Sequence, residues 1–128
     1  MSTIVNLAFV AAGGAIGSCL RDRLSSVAAF SGTKGLGIFL CNVIGCFVIG
    51  LLYALSQKWD IAPQWRAFIF TGLLGGFTTF SSYSLDAMLL WQSGNLAHGL
   101  WYVIGTNAAG LSAAAIGLFG TSQVLKLV

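Results

Sequence analysis

Charge is what this chain has least of. Six basic and three acidic side chains make up 7% of its 128 residues, against 57% hydrophobic residues and a mean hydropathy of +0.89. A soluble domain this small needs a far more polar surface, so the composition excludes one and places the chain in a bilayer. Catalytic and metal-binding groups are equally scarce. The three cysteines, Cys19, Cys41 and Cys46, are odd in number, lie in or at the ends of apolar runs, and lack the paired spacing of a zinc site. They read as small buried residues. His98 is the one histidine and has no companion ligand. No Ser-His-Asp set, no phosphate-binding glycine loop followed by lysine, and no basic patch with interleaved aromatics is present. An enzyme is not indicated, and neither is a nucleic-acid partner.

What is there is membrane-length hydrophobicity. Four runs carry no charge: Met1 to Leu20, Gly35 to Gln57, Ala67 to Leu85, and Ala87 to Leu125. At a rise of about 1.5 Å per residue, a hydrocarbon core of about 30 Å needs roughly 20 residues, so each run holds one transmembrane helix. The last run is long enough to raise the question of a fifth span, but Gln92, Ser93, Gly94, Asn95 and His98 mark a polar loop at its beginning. The expected spans are therefore near 3–22, 35–57, 66–92 and 98–124, forming one all-α transmembrane module over residues 1–128. The first run lacks a basic leader and continues through Gly13, Gly14 and Gly17, so it reads as a packing helix rather than a cleaved signal peptide.

Four spans put Lys58, Arg66 and Lys126 on the side of the termini and Arg21, Arg23 and Lys34 on the other, three against three. The positive-inside rule normally shows a clear excess on the cytoplasmic side. The tie is either a small-number effect or the mark of dual topology, in which copies insert both ways and pair antiparallel about a two-fold axis in the membrane plane. Association has separate support in 17 glycines, among them Gly13-x-x-x-Gly17 and Gly72-x-x-x-Gly76, and in the run Ala113 to Ala115. Small residues at this spacing let backbones approach closely in lipid, within a subunit or between two.

Polarity inside the membrane is the remaining signal. Asn42 lies near the middle of the second span, where its amide makes an interhelical hydrogen bond or lines a permeation path. In the third span Gly75 and Gly76 each lower helix propensity by about 1 kcal/mol relative to alanine. Thr78 and Thr79 then add β-branched hydroxyl residues, so a helix break near the middle of this span is expected. Non-helical backbone at that depth is tolerated only where it is buried or lines a cavity, and its freed carbonyls suit a hard cation such as sodium. Beyond the break Phe80 and Tyr83 are three apart and share a helix face, with Phe77 and Ser84 on the same arc if the helix is regular, while Thr78, Ser81 and Ser82 fall toward the other flank. Aromatic ring edges are positive and contact an anion without the trapping a buried lysine or arginine imposes, which suits a conductor.

In these stretches the chain resembles a known family, the Fluc (CrcB-type) fluoride channels. The likeness runs along nearly the whole chain: Gly13-Gly14-Ala15-Ile16-Gly17 followed by Arg21, then Asn42-Val-Ile-Gly45-Cys-Phe47, then Gly72-Leu-Leu-Gly75-Gly76-Phe77-Thr78-Thr79-Phe80-Ser81. The last stretch is highly specific in combination. The resemblance implies a dual-topology antiparallel homodimer in a bacterial inner membrane, with two pores through which fluoride leaves the cytoplasm. It implies a structural sodium ion held by the backbone carbonyls of Gly75 and Thr78. It matches Phe80 and Tyr83 to the family's paired pore phenylalanines, Asn42 to its second-helix asparagine, Ser81 and Ser82 to its pore hydroxyls, Tyr102 to its fourth-helix tyrosine, and Arg21 to a vestibule charge favouring anions. Four positions depart from the pattern: Tyr83 for Phe, Asp22 for Tyr, Ile38 for Thr and Asp86 for Glu. Two rivals stand beside this reading. A small multidrug-type proton-coupled exporter also has four short helices, but it needs a carboxylate well inside the membrane, and of Asp22, Asp60 and Asp86 only Asp86 comes close. The other is a structural membrane subunit that passes no ion.

Overall fold

In the computed structural model, residues 2–127 are described and form an all-α arrangement. Helix α1 is Thr3–Ala29 and α2 is Leu36–Lys58. The third segment is two helices: α3 covers 63–77, as the continuous stretches Pro63–Arg66, Ala67–Leu74 and Gly75–Phe77, and α4 is Phe80–Gln92. Helix α5 is Leu96–Leu127. Three helices, α1, α2 and α5, are long and apolar enough to cross a membrane on their own. The third segment does not qualify as one helix because it is divided near its middle.

The ends follow local chemistry. Ser2 caps α1, its hydroxyl accepting from the Val5 N–H at 3.3 Å. Pro63 opens α3 at a position where its missing N–H costs nothing. Gly35 and Gly94 have left-handed backbones, at φ 80° and 81°, where the chain turns into α2 and leaves α4. Helix α1 continues past the expected limit at residue 22, through Arg21, Asp22 and Arg23 to Ala29. Charge ends an apolar run without ending a helix, since long side chains reach polar partners from within one. For the same reason His98 lies inside α5, not in a loop; the connection is confined to Ser93, Gly94 and Asn95.

Helix α1 packs along α3, α2 along α5, and α4 against α5. The glycine tracks explain the first contact. A methyl on Gly17 would sit on the Leu73 carbonyl oxygen, one on Gly13 on the Phe68 carbonyl, and one on Gly72 or Gly76 against the backbone of Val10 or Gly14. Both Gly-x-x-x-Gly motifs therefore face each other within one subunit and carry no argument for association between subunits. Gly50 and Gly117 do the same for α2 and α5, meeting the backbones of Ala114 and Phe47. The turns at Ala67–Leu74 and Ile116–Gly120 are widened to the π-helical pattern, and each stretch contains a glycine of close approach, Gly72 or Gly117.

The buried cluster is small and aromatic: Tyr83, Ala87, Leu90 and Tyr102, with Ile38, Phe39 and Val103 against it. Outward faces carry exposed Ile4, Leu7, Ile44, Leu100 and Phe119. Lipid tails take the place of a second core layer around such a molecule.

Candidate functional site

The break between α3 and α4 is two extended residues. Thr78 has φ −87° and ψ 156°, and Thr79 has φ −155° and ψ 122°. Gly75 and Gly76 remain helical, so the interruption falls on the two threonines and not on the glycine pair, whose low helix propensity also favoured a break. The glycine at 76 is used for packing on α1, and the turn is opened by what grips Thr79.

Asn42 supplies that grip. Its Oδ1 accepts from the Thr79 N–H at 2.8 Å, and its Nδ2 donates to the Thr79 carbonyl at 3.1 Å. A side-chain amide thus pairs with both polar groups of Thr79, satisfying backbone that would otherwise stand bare in an apolar interior. One helical turn on, Gly45 leaves room for the Thr78 methyl, which a Cβ at 45 would strike. The Asn42-x-x-Gly45 spacing is therefore one device, an amide clamp beside a seat for the neighbouring threonine. On the other side Arg21 donates from Nη1 to the Thr78 carbonyl at 3.2 Å, and the Thr78 hydroxyl donates to the Leu74 carbonyl at 2.9 Å. The Thr79 hydroxyl caps α4, accepting from the Ser82 N–H at 3.2 Å.

The break opens onto a groove of about 300 Å³ between α2, α4 and α5. Asn42, Cys46, Thr78, Thr79, Phe80, Tyr83, Thr106 and Asn107 line it, with no charged side chain. Phe80 is 78% exposed in the subunit and Tyr83 only 7%, their ring centroids 5.5 Å apart and tilted by 51°. Tyr83 in turn lies 5.6 Å from the Tyr102 ring. Phe77 is separated from this arc by the break, and the Ser84 hydroxyl bonds back to the Phe80 carbonyl at 2.9 Å.

Not every residue singled out in the sequence reaches the groove. Ser81 and Ser82 lie around the Thr79 hydroxyl, 3.2 and 3.3 Å from it, outside the groove lining. Tyr102 lies behind Tyr83 and donates to Asp86 Oδ2 at 3.4 Å, and Asp86 faces two other cavities beside Lys34 and Gly35. Two polar lining residues have no counterpart among the sequence candidates. Thr106 is buried with its hydroxyl unpartnered among the described residues. Asn107 donates to the Tyr83 hydroxyl at 2.8 Å and to the Val103 carbonyl at 2.8 Å. The available signal was an adjacent Thr-Asn pair in an otherwise apolar helix.

The family profile described as CrcB-like protein, Camphor Resistance (CrcB), matches residues 8–118. The chain belongs to the CrcB-like family. A relative from Helicobacter acinonychis (strain Sheeba) is 45% identical over 121 residues, covering 90% of this chain and 95% of that one. One from Helicobacter pylori (strain G27) is 44% identical over 115 residues, covering 87% and 88%, and one from Parabacteroides distasonis is 39% identical over 118 residues, covering 91% and 92%. Each bears the name fluoride-specific ion channel FluC. The CrcB-like match spans α1 through most of α5 and includes the clamp, the break and the groove.

Proposed function

We propose that the chain is a passive, fluoride-selective channel of a bacterial inner membrane, one transmembrane module per subunit, working as an antiparallel dual-topology homodimer. The observation that carries this is the groove at the break, where an aromatic pair stands among amide and hydroxyl groups without any full charge. Fluoride enters a cell as the neutral acid and dissociates, so a passive path for the anion lets it leave. The proposed path passes Asn42, Phe80 and Tyr83, with Ser81, Ser82 and Tyr102 as flanking hydroxyls and Arg21 as the charge that favours anions at its mouth. Ring edges and neutral donors hold an anion weakly enough for release. Phe80→Ile is expected to cut fluoride flux at least tenfold while the dimer persists, because the ring edge is lost and hydrocarbon volume largely stays. Flux assays beside size-exclusion profiles check this.

The homodimer reading is supported by what the subunit leaves outside. Phe80, Asn107 and Leu111 are exposed on one groove-bearing face, and an asparagine facing hydrocarbon is costly unless covered. The even split of basic residues supports insertion both ways.

The carbonyls of Gly75 and Thr78 fit a sodium ion in part by release of their usual partners. The Thr79 N–H that an unbroken helix would give to Gly75 goes to Asn42 instead, and Gly75 is exposed. The Thr78 carbonyl accepts from Arg21 and keeps a second lone pair. A sodium ion held by the Gly75 and Thr78 carbonyls would supply a positive charge at the break.

A proton-coupled exporter needs its carboxylate in the substrate path, whereas Asp86 is paired with Tyr102 outside the groove. Liposomes holding the wild-type chain are expected to pass fluoride at the same rate with or without an imposed proton gradient, and to export no cationic dye. Proton-driven dye export that Asp86→Asn abolishes would favour the exporter.

A further inference from the structure

We infer that Asn107 is a positioning residue that turns the Tyr83 hydroxyl into a hydrogen-bond donor aimed at the anion in the groove. This rests on the channel reading above. The direction of each bond follows from chemistry. The Val103 carbonyl can only accept, so the amide of Asn107 must present its nitrogen there, at 2.8 Å. The same nitrogen lies 2.8 Å from the Tyr83 hydroxyl oxygen, and its second N–H points to that oxygen. Tyr83 is therefore held as an acceptor from Asn107, and its own proton remains to be given elsewhere. Among the described residues the Tyr83 hydroxyl donates no hydrogen bond.

Burial makes this consequential. Tyr83 is 7% exposed, its ring lies between those of Phe80 and Tyr102, and it lines the groove with Asn42 and Thr106. A phenol fixed this way gives a small hard anion a charge-assisted hydrogen bond beside the positive edge of Phe80. A larger anion gains less from one short O–H contact. Binding also becomes firmer and release slower, so the Tyr83–Asn107 pair sets the balance between affinity and throughput.

The test compares wild type, Tyr83→Phe, Asn107→Leu and the double variant in liposomes, reading the fluoride concentration at half-maximal flux. Tyr83→Phe is expected to raise it about tenfold, the size of one hydrogen bond to a charged group. Asn107→Leu should raise it about threefold in the wild-type background and leave it unchanged when Tyr83 is already Phe. An equal Asn107→Leu effect in both backgrounds overturns the inference while the channel reading stands. Wild-type protein that passes no fluoride overturns the channel reading and this inference with it. Raman spectra of the tyrosine ring doublet give a readout independent of flux. Subtracting the Tyr83→Phe spectrum isolates Tyr83 from Tyr53 and Tyr102, and added potassium fluoride should shift the Tyr83 signal toward a donor state. No shift of the wild-type Tyr83 signal with fluoride present contradicts the assignment, whether or not Asn107→Leu folds in lipid.

Discussion

Replacing Asn42 by leucine is expected to abolish fluoride passage and to lower the thermal midpoint of the purified protein by several degrees or more. Leucine keeps the branching at Cγ but is larger and cannot hydrogen-bond, so some overpacking beside Thr79 adds to the effect. What is lost is the pair of bonds to the Thr79 N–H and carbonyl, at 2.8 and 3.1 Å. Leaving a buried backbone group unpaired costs about 1–3 kcal/mol, and since Thr79 is half-buried the two together cost at most roughly 2–6 kcal/mol, a sizeable fraction of a typical folding free energy. The chain has one way to recover them, by closing the break into continuous helix and handing the Thr79 N–H back to Gly75. That closure removes the extended segment that shapes the groove. Asn42→Asp keeps an acceptor for the N–H but sets a carboxylate oxygen against the Thr79 carbonyl, so it is expected to fall between wild type and leucine. Thermal unfolding followed by tryptophan fluorescence, with flux in parallel, measures both effects.

Gly17→Val is expected to be equally severe for a different reason. The added side chain meets the Leu73 carbonyl oxygen and the Phe77 N–H, both backbone atoms that cannot rotate aside. Overpacking a core with flexible neighbours costs about 1–3 kcal/mol, and here α1 must separate from α3, which carries the break at its end. Gly120→Ala is the control, since nothing lies within 4 Å of a methyl there. Alanine is the better helix former by about 1 kcal/mol, so this variant is expected to match or slightly exceed wild-type stability. Loss of the folded peak on size exclusion for Gly17→Val alone separates close approach from a general intolerance of substitution.

Much of this architecture is legible in the sequence. Runs without charge locate four helical segments, three of them long and apolar enough to cross a membrane as single helices, because a bilayer imposes length and apolarity. Thr78 and Thr79 announce a break because two β-branched hydroxyl residues after two glycines make poor helix. The exact position of the break was less legible, since it is set by Asn42 on another helix and not by local propensity. The glycine tracks were recognised as close-packing surfaces, but which surface they meet depends on how α1 lies along α3. The resemblance gives Ser81 and Ser82 a path-lining part, and in the subunit both gather at the Thr79 cap where α4 restarts after the break. Asn107 and Thr106 offer only an adjacent polar pair within an apolar stretch, and the meaning of that pair comes from Tyr83 opposite. The departure at Tyr83, by contrast, was plain in the sequence and now has a partner that explains how a hydroxyl is accommodated there.

The central claim is passive conduction selective for fluoride. Its most direct measurement is efflux from liposomes reconstituted with the purified chain, loaded with potassium fluoride or potassium chloride, and opened to potassium with an ionophore. The account predicts rapid fluoride efflux and chloride efflux no faster than from protein-free liposomes. Equal passage of both anions, or of neither, would contradict it.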